Sequence, residues 1–383
     1  MSTSAAAKQP KLVMSLRTLR RTLATVASAV DRRPTIPALA AVRIKQEPGE
    51  IELAGTSPGV SIVARTHLKN SVAAAPIFLG AHKLKSYVDL LEHEDVSLEV
   101  AGTFKAILRC GGAETAFAAL PSGEFPHLEP APTTKAISLD RDIVSRMLKF
   151  TNFATCEDSS GGGVCGALLE VSDGAAHLVA TDGHRLARFS AGRGDGATSM
   201  ILPADLLTAL GSTVDAECNG TCEFALSDSR VFVTISDRAG VVEFSHRKIP
   251  GEFPRYRAIL PTKAAATVTL SAAALAGAIR RCMTVADSKA RVVELCATPS
   301  QLKLRAGDAS SGVTAETLAV SSPCQFPPYT SLFRGEYLLD ALVRIKGDVT
   351  IGFTKVGATD GAWIVHEPLP GERFEYVVMG LKH

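Results

Sequence analysis

Short alternating apolar runs dominate this chain, and three of them open onto a stretch of helical period. Lys11-Leu12-Val13-Met14-Ser15-Leu16 leads into residues 17–29, Lys135-Ala136-Ile137-Ser138-Leu139 into 140–150, and Thr267-Val268-Thr269-Leu270 into 271–284. Alternation by two puts every second side chain on one face of a strand. Recurrence every three to four residues puts the apolar side chains on one face of a helix. Ser271 stands where an N-cap belongs, ahead of Ala272-Ala273-Ala274-Leu275. Paired strands with turn residues between them follow each start. Val42-Arg43-Ile44-Lys45 meets Ile51-Glu52-Leu53 across Glu47-Pro48-Gly49-Glu50. Leu168-Leu169-Glu170-Val171 meets His177-Leu178-Val179-Ala180 across Ser172-Asp173-Gly174, an Asp-Gly hairpin signal. Glu294-Leu295-Cys296-Ala297 meets Leu302-Lys303-Leu304 across Pro299-Ser300. A second helix is expected at 81–91, 203–211 and 335–345, each with a Leu-Leu pair, and further strands at 96–100, 106–110, 231–236, 241–245, 349–353 and 362–365.

The pattern predicts one strand–helix–strands–helix–strands unit repeated three times. Gly-Glu-Phe-Pro occurs at 123–126 and again at 251–254, about one domain length apart. Glu129-Pro130-Ala131-Pro132 and Pro261-Thr262 are suitable joints. The expected plan is a leader at 1–10, then domains at 11–133, 134–262 and 263–383. Hairpin-connected strands without βαβ alternation make the class α+β with small antiparallel sheets.

Composition narrows the function. Apolar residues are 46% and charged residues 21% of the 383, as in soluble globular proteins. No apolar run reaches the roughly 18 residues of a membrane span. Residues 1–10 lack the apolar core of a signal peptide, so a disordered leader on a cytoplasmic protein is expected. The eight cysteines form no Cys-x-x-Cys pair, and Cys218 with Cys222 lacks partners for a zinc site, so reduced thiols and no metal are expected. A net charge of +2 and 5% aromatics argue against a bulk-charge grip on nucleic acid and against base stacking. Yet the first helices carry Arg17, Arg20 and Arg21, then Arg141, Arg146 and Lys149, then Arg280 and Arg281. The second helices add Lys83, Lys85, Arg344 and Lys346. These are either solvated helix faces or, if the helices line a hole, a positive pore that holds phosphates without reading sequence.

Thr181-Asp182-Gly183-His184-Arg185 invites a hydrolase reading with Asp182 and His184 as a pair. No nucleophile elbow, zinc motif or phosphate-binding lysine accompanies it. Its simpler reading is a turn at a strand end, with Gly183 at positive φ and Asp182 bonded to local backbone. Ser159-Ser160-Gly161-Gly162-Gly163 reads as a loop. No catalytic residue and no cofactor are expected.

Six stretches together resemble one known family. They are Arg33-Pro34-Thr35-Ile36-Pro37-Ala38-Leu39, Leu120-Pro121-Ser122-Gly123-Glu124-Phe125-Pro126, Val179-Ala180-Thr181-Asp182-Gly183-His184-Arg185-Leu186-Ala187, Phe253-Pro254-Arg255-Tyr256-Arg257-Ala258-Ile259-Leu260-Pro261, Tyr337-Leu338-Leu339-Asp340-Ala341-Leu342 and Tyr376-Val377-Val378-Met379-Gly380-Leu381. In this order, over about residues 11–383, the chain resembles the bacterial sliding clamp, the beta subunit of DNA polymerase III. The resemblance implies three DNA-clamp domains per chain, each of two helices and small sheets, and a head-to-tail homodimer closed into a ring around double-stranded DNA. It implies a processivity factor without active site or cofactor. Its partners would be the polymerase III alpha subunit, an ATP-driven clamp loader and other proteins carrying a Gln-Leu-x-Leu-Phe-like motif. An alternative within the resemblance is a clamp-like scaffold for a specialised plasmid, phage or repair polymerase.

The same resemblance places the partner-peptide pocket at Val164, Thr181, Gly183, His184, Arg185, Leu186, Pro254, Ile259, Tyr337, Val377, Met379 and Leu381. It places DNA contacts at Arg33, with Lys83, Arg20, Arg21, Arg146, Lys149, Arg280 and Arg281 in support, and the dimer interface at Phe117, Thr284 and Val285. The chain departs from the family in three places. Gly380 stands where the family commonly has Pro, which is expected to loosen the tail backbone. Ala258 stands where it often has Arg. The stretch from Cys156 to Cys165 is glycine-rich where the family often has aromatic and basic residues.

Overall fold

The structure, a computed structural model, describes residues 11–68, 71–100, 105–120, 125–156, 165–192, 198–214, 219–286, 291–308, 312–322, 325–357 and 359–381. The proposed leader at 1–10 and Val164 lie outside the described residues. One order of elements runs three times. It begins as β1 (Lys11–Ser15), α1 (Leu16–Ala27), β2 (Ala41–Glu47), β3 (Glu50–Thr56), β4 (Val60–His67), β5 (Ala74–Gly80), α2 (Ala81–Val88), β6 (Asp95–Val100), β7 (Lys105–Cys110) and β8 (Ala113–Ala118). It recurs as β9 (Ile137–Asp140), α3 (Arg141–Thr151), β10 (Gly166–Ser172), β11 (Ala175–Thr181), β12 (Arg185–Ala191), β13 (Thr198–Pro203), α4 (Ala204–Thr213), β14 (Thr221–Leu226), β15 (Arg230–Asp237) and β16 (Gly240–Arg247). The last run is β17 (Ala266–Ser271), α5 (Ala272–Val285), β18 (Val292–Ala297), β19 (Gln301–Asp308), β20 (Gly312–Ala319), β21 (Tyr329–Arg334), α6 (Gly335–Leu342), β22 (Asp348–Val356), β23 (Thr359–His366) and β24 (Arg373–Met379).

The starts of α1 and α5 follow from chemistry. Ser15 and Ser271 accept from the backbone N–H of Thr18 and Ala274, at 3.2 and 3.3 Å. Leu16, Leu19, Leu23 and Val26 form the buried stripe of α1. The Asp173-Gly174 hairpin is present, with both residues at positive φ and Ser172 paired with Ala175.

By contact density the chain divides into two compact units, residues 1–144 with 208–248, and 145–207 with 249–383. The first holds a four-stranded sheet, β1-β6-β7-β8, and an eight-stranded sheet, β5-β2-β3-β4-β16-β15-β14-β9. The larger sheet is joined at its middle by β4 and β16, in register from Thr66 with Gly240 to Val60 with His246. The second unit holds β13-β10-β11-β12-β24-β23-β22-β17 and β20-β19-β18-β21. There β12 and β24 make the equivalent joint, from Arg185 with Val378 to Ser190 with Arg373. Every pairing is antiparallel. Among the described residues no helix is long and apolar enough to cross a membrane, and no cluster of ligating side chains could hold a metal. Cys110, Cys222 and Cys282 are buried free thiols, and burial pushes the Cys222 thiol up to about 12, which leaves it unreactive.

Candidate functional site

The joint between β12 and β24 carries the site. β11 ends at Thr181 and the chain reverses through 182–184 into β12. Asp182 Oδ1 accepts from the backbone N–H of His184 and Arg185, at 2.9 and 3.0 Å. Thr181 Oγ1 accepts from Gly183 N at 3.2 Å and donates to the Arg185 carbonyl at 2.7 Å. Gly183 sits at φ +86°, a region that a side chain disfavours. The turn is therefore the one expected, and Asp182 is its organiser.

Arg185 is a strut. Its side chain is 12% exposed, and Nε reaches Asp182 Oδ2 at 2.9 Å. Its other nitrogens bond the Asp340 carboxylate and, at 2.8 Å, the Phe153 carbonyl. The guanidinium lies 4.5 Å from the Tyr337 ring centre and 5.6 Å from that of Phe153. Burial opposes its charge, but Tyr376, Asp340 and Asp182 outweigh burial and hold it protonated.

Beside this turn is a cavity of about 280 Å³. Nine of the expected residues line it: Thr181, Gly183, His184, Arg185, Leu186, Pro254, Ile259, Val377 and Met379. Its backing is an apolar cluster of Val179, Leu186, Tyr256, Val356 and Val377, against which Trp363, Phe253 and Met379 pack. Leu186 pairs with Val377 across the joint, so both point to the same face. Ile259 is 38% exposed and forms an apolar rim. This volume is near the lower end of ligand pockets, roughly 300–1,000 Å³, and suits a few apolar side chains of a short peptide.

Two expected residues stand outside the lining. The Tyr337 ring stacks at 21° to that of His184, with centres 6.3 Å apart. Leu381 donates its N–H to the Leu332 carbonyl at 2.8 Å. Cys156, Asp182 and Val356 also line the cavity and were not expected there. Asp182 had a visible signal as the turn's capping residue, whereas Val356, at the end of β22, had none.

The tail corrects one expectation. Gly380 does not loosen the backbone: its N–H donates to the Asp360 carbonyl at 2.6 Å, between Met379 N to His184 O at 3.0 Å and Leu381 N to Leu332 O at 2.8 Å. A Cβ on Gly380 would lie 2.7 Å from the Asp360 carbonyl oxygen and 2.8 Å from Ser331 Oγ. A proline there would lack the N–H and meet both atoms.

The expected DNA-contacting cations separate into two groups. Arg20 bonds the carbonyls of Val88 and Leu91, at 3.1 and 2.6 Å, and so caps the end of α2. Arg21 pairs with Asp237, Arg146 with Glu372 and Arg281 with Glu316, each at 2.7 Å. Arg33, Lys83, Lys149 and Arg280 are exposed. Among the described residues none of these four has an ion pair, and the Lys149 ammonium lies 5.5 Å from the centre of the Phe150 ring. Phe117, expected at an interface, is 5% exposed and meets Tyr87 edge-on inside its own unit. Thr284 is exposed and Val285 partly so.

Known proteins resemble the chain along most of its length. The model of the DNA polymerase III beta subunit, N-terminal domain, matches residues 11–129, and that of its C-terminal domain matches 257–381. The beta sliding clamp of Proteus mirabilis is 25% identical over 376 residues, covering 97% of this chain and 100% of that protein. That of Pseudomonas aeruginosa is 27% identical over 370 residues, covering 95% and 97%. The fold is that of the solved Pseudomonas aeruginosa sliding clamp bound to griselimycin, with TM-score 0.86, 24% identity and coverage of 98% and 100%. The Thermotoga maritima DNA polymerase III beta subunit has TM-score 0.87 at 19% identity, covering 97% and 99%.

Proposed function

Because the chain belongs to the family of the DNA polymerase III beta subunit, we propose that it is a sliding clamp, a ring of two copies that encircles double-stranded DNA and tethers a polymerase to it. The observation that carries this reading is the β12–β24 cavity, which the motif residues of three separated segments line together. It takes the apolar side chains of a Gln-Leu-x-Leu-Phe-like peptide from the polymerase III alpha subunit, the clamp loader and other clamp-binding proteins. Met379, flexible and polarisable, suits a wall that accepts several sequences.

Each of the three runs of elements is one clamp domain, at 11–133, 134–262 and 263–383. Contact with DNA falls to Arg33, Lys83, Lys149 and Arg280, whose charges no carboxylate among the described residues neutralises. Such contacts exchange between phosphates without reading bases, and a slider needs that. The protein works in the cytoplasm and performs no catalysis. Both Asp182 oxygens are engaged within their own turn, which argues against a hydrolytic Asp182–His184 pair.

The test is fluorescence anisotropy with a labelled Gln-Leu-x-Leu-Phe peptide. Saturable micromolar binding that Met379→Ala weakens supports the pocket. A folded protein that binds no such peptide overturns it.

A further inference from the structure

On the cavity face of the large sheet in the second unit, the apolar rows end abruptly in charge. One row runs Leu168, Val179, Arg188, Glu375 across β10, β11, β12 and β24, and the next runs Glu170, His177, Ser190, Arg373. Glu170, His177 and Glu375 are 7%, 3% and 7% exposed. Over them lies the helical turn Tyr256–Ala258. The Tyr256 ring belongs to the apolar cluster behind the cavity, while its hydroxyl donates to the Glu170 carboxylate. Arg257 donates to the same carboxylate and to Ser172 Oγ, both at 2.8 Å. The backbone of Tyr256 in turn holds its neighbours: its N–H reaches the Pro254 carbonyl at 2.6 Å, and its carbonyl accepts from Ile259 N at 2.9 Å. Pro254 and Ile259 are cavity wall.

We propose that Glu170 is a positioning residue of the pocket: through the Tyr256 hydroxyl it holds the 254–259 wall at the width that accepts a partner's apolar side chains. The inference rests on the clamp reading for the nature of the ligand. A buried carboxylate is a poor device for stability, since well-packed apolar groups of similar volume often do as well, whereas in some proteins buried polar groups fix a single arrangement. The neighbouring His177 is engaged elsewhere, Nδ1 with Ser190 Oγ at 2.7 Å and Nε2 with the Ser172 carbonyl at 3.1 Å, which leaves Glu170 to Tyr256 and Arg257.

Trp363, the chain's one tryptophan, packs against the same cluster and reports on the wall without any ligand. Tyr256→Phe should weaken binding of the Gln-Leu-x-Leu-Phe peptide about fivefold, the worth of one hydrogen bond, and Glu170→Ala, which also releases Arg257, at least as much. Each should also raise acrylamide quenching of Trp363. The double variant should bind no worse than the weaker single, because both act through one bond. Glu170→Gln, which keeps an acceptor oxygen, should restore affinity and shielding. Losses that add in the double variant, or singles that lower the melting temperature while leaving affinity and quenching unchanged, would overturn the inference. Should the parent bind no peptide, the clamp reading fails, and the Trp363 quenching series still decides whether Glu170 sets the wall.

Discussion

Gly380 and His177 show how much one position can constrain. At Gly380 the backbone is pinned by its own N–H and flanked by a carbonyl and a hydroxyl. Replacing it by Pro removes the donor and adds atoms where there is no room, so Gly380→Pro should cost about 1–3 kcal/mol. Urea denaturation checks this; an unchanged or higher midpoint would show that the tail relaxes. His177 sets a pH dependence. Burial and Arg188 hold its proton affinity below the ordinary value of 6.5. Between the lowered folded value and 6.5 the unfolded chain binds more protons, so stability rises with pH there. The contribution is whole above 6.5 and is lost as pH falls through the folded value. His366, also lowered by burial, has the same sign. Unfolding free energies at about pH 5.5 and 7.5 should therefore differ less in His177→Gln than in the parent; an equal difference would remove His177 from the account.

Helices and joints differ in how far local pattern reveals them. The start of α5 was legible because the Ser271 cap and an apolar stripe both leave marks in sequence, whereas the Ser15 cap of α1 was not expected and that helix begins one residue ahead of the expected 17. β4 and β24 were not legible, because they are buried on both faces for most of their length and so lack alternation. The turn 181–184 was legible from its residue types. The capping role of Arg20 was not, because its acceptors are backbone carbonyls that no side chain announces. Val356 entered the cavity from a distant strand for the same lack of a local mark.

The joints also share an ionic device: Arg21 on α1 pairs with Asp237 just before β16, and Arg146 on α3 pairs with Glu372 just before β24. Their consequences differ. Asp237 keeps Arg141 at 2.9 Å if Arg21 is lost, and Arg21 is 52% exposed, so Arg21→Met should cost about 0–1 kcal/mol. Glu372 is 7% exposed, so Arg146→Met strands a buried carboxylate and should cost about 3 kcal/mol or more. Urea denaturation of the two variants side by side checks the ranking, and equal costs would refute it.

At the scale of the whole molecule, strand order within each sheet points to how the proposed ring closes. β4 and β12, the fourth strands of the first two element runs, are each paired with the last strand of the following run, β16 and β24. By that equivalence β20 needs the last strand of another run, and β8, at the edge of its sheet, is the one left over. An exposed antiparallel edge is a template for a further strand. A second copy would satisfy both edges, β8 of each with β20 of the other, and the pairing would close after two chains. Proline scanning of β8 tests this. Successive N–H groups of an antiparallel strand point alternately to its two neighbours, so of Thr115→Pro and Ala116→Pro one removes a bond to β7 and the other a bond to the partner. The first should destabilise the fold. The second should leave it intact and halve the mass in solution. That monomer should still bind the peptide, because the cavity lies wholly in the second unit. It should no longer stay on nicked circular DNA, where retention depends on a closed ring rather than on affinity. If both variants remain dimers and remain on the circle, the closure is not made by these edges, and the equivalence between the joints inside the chain and the joint between copies fails.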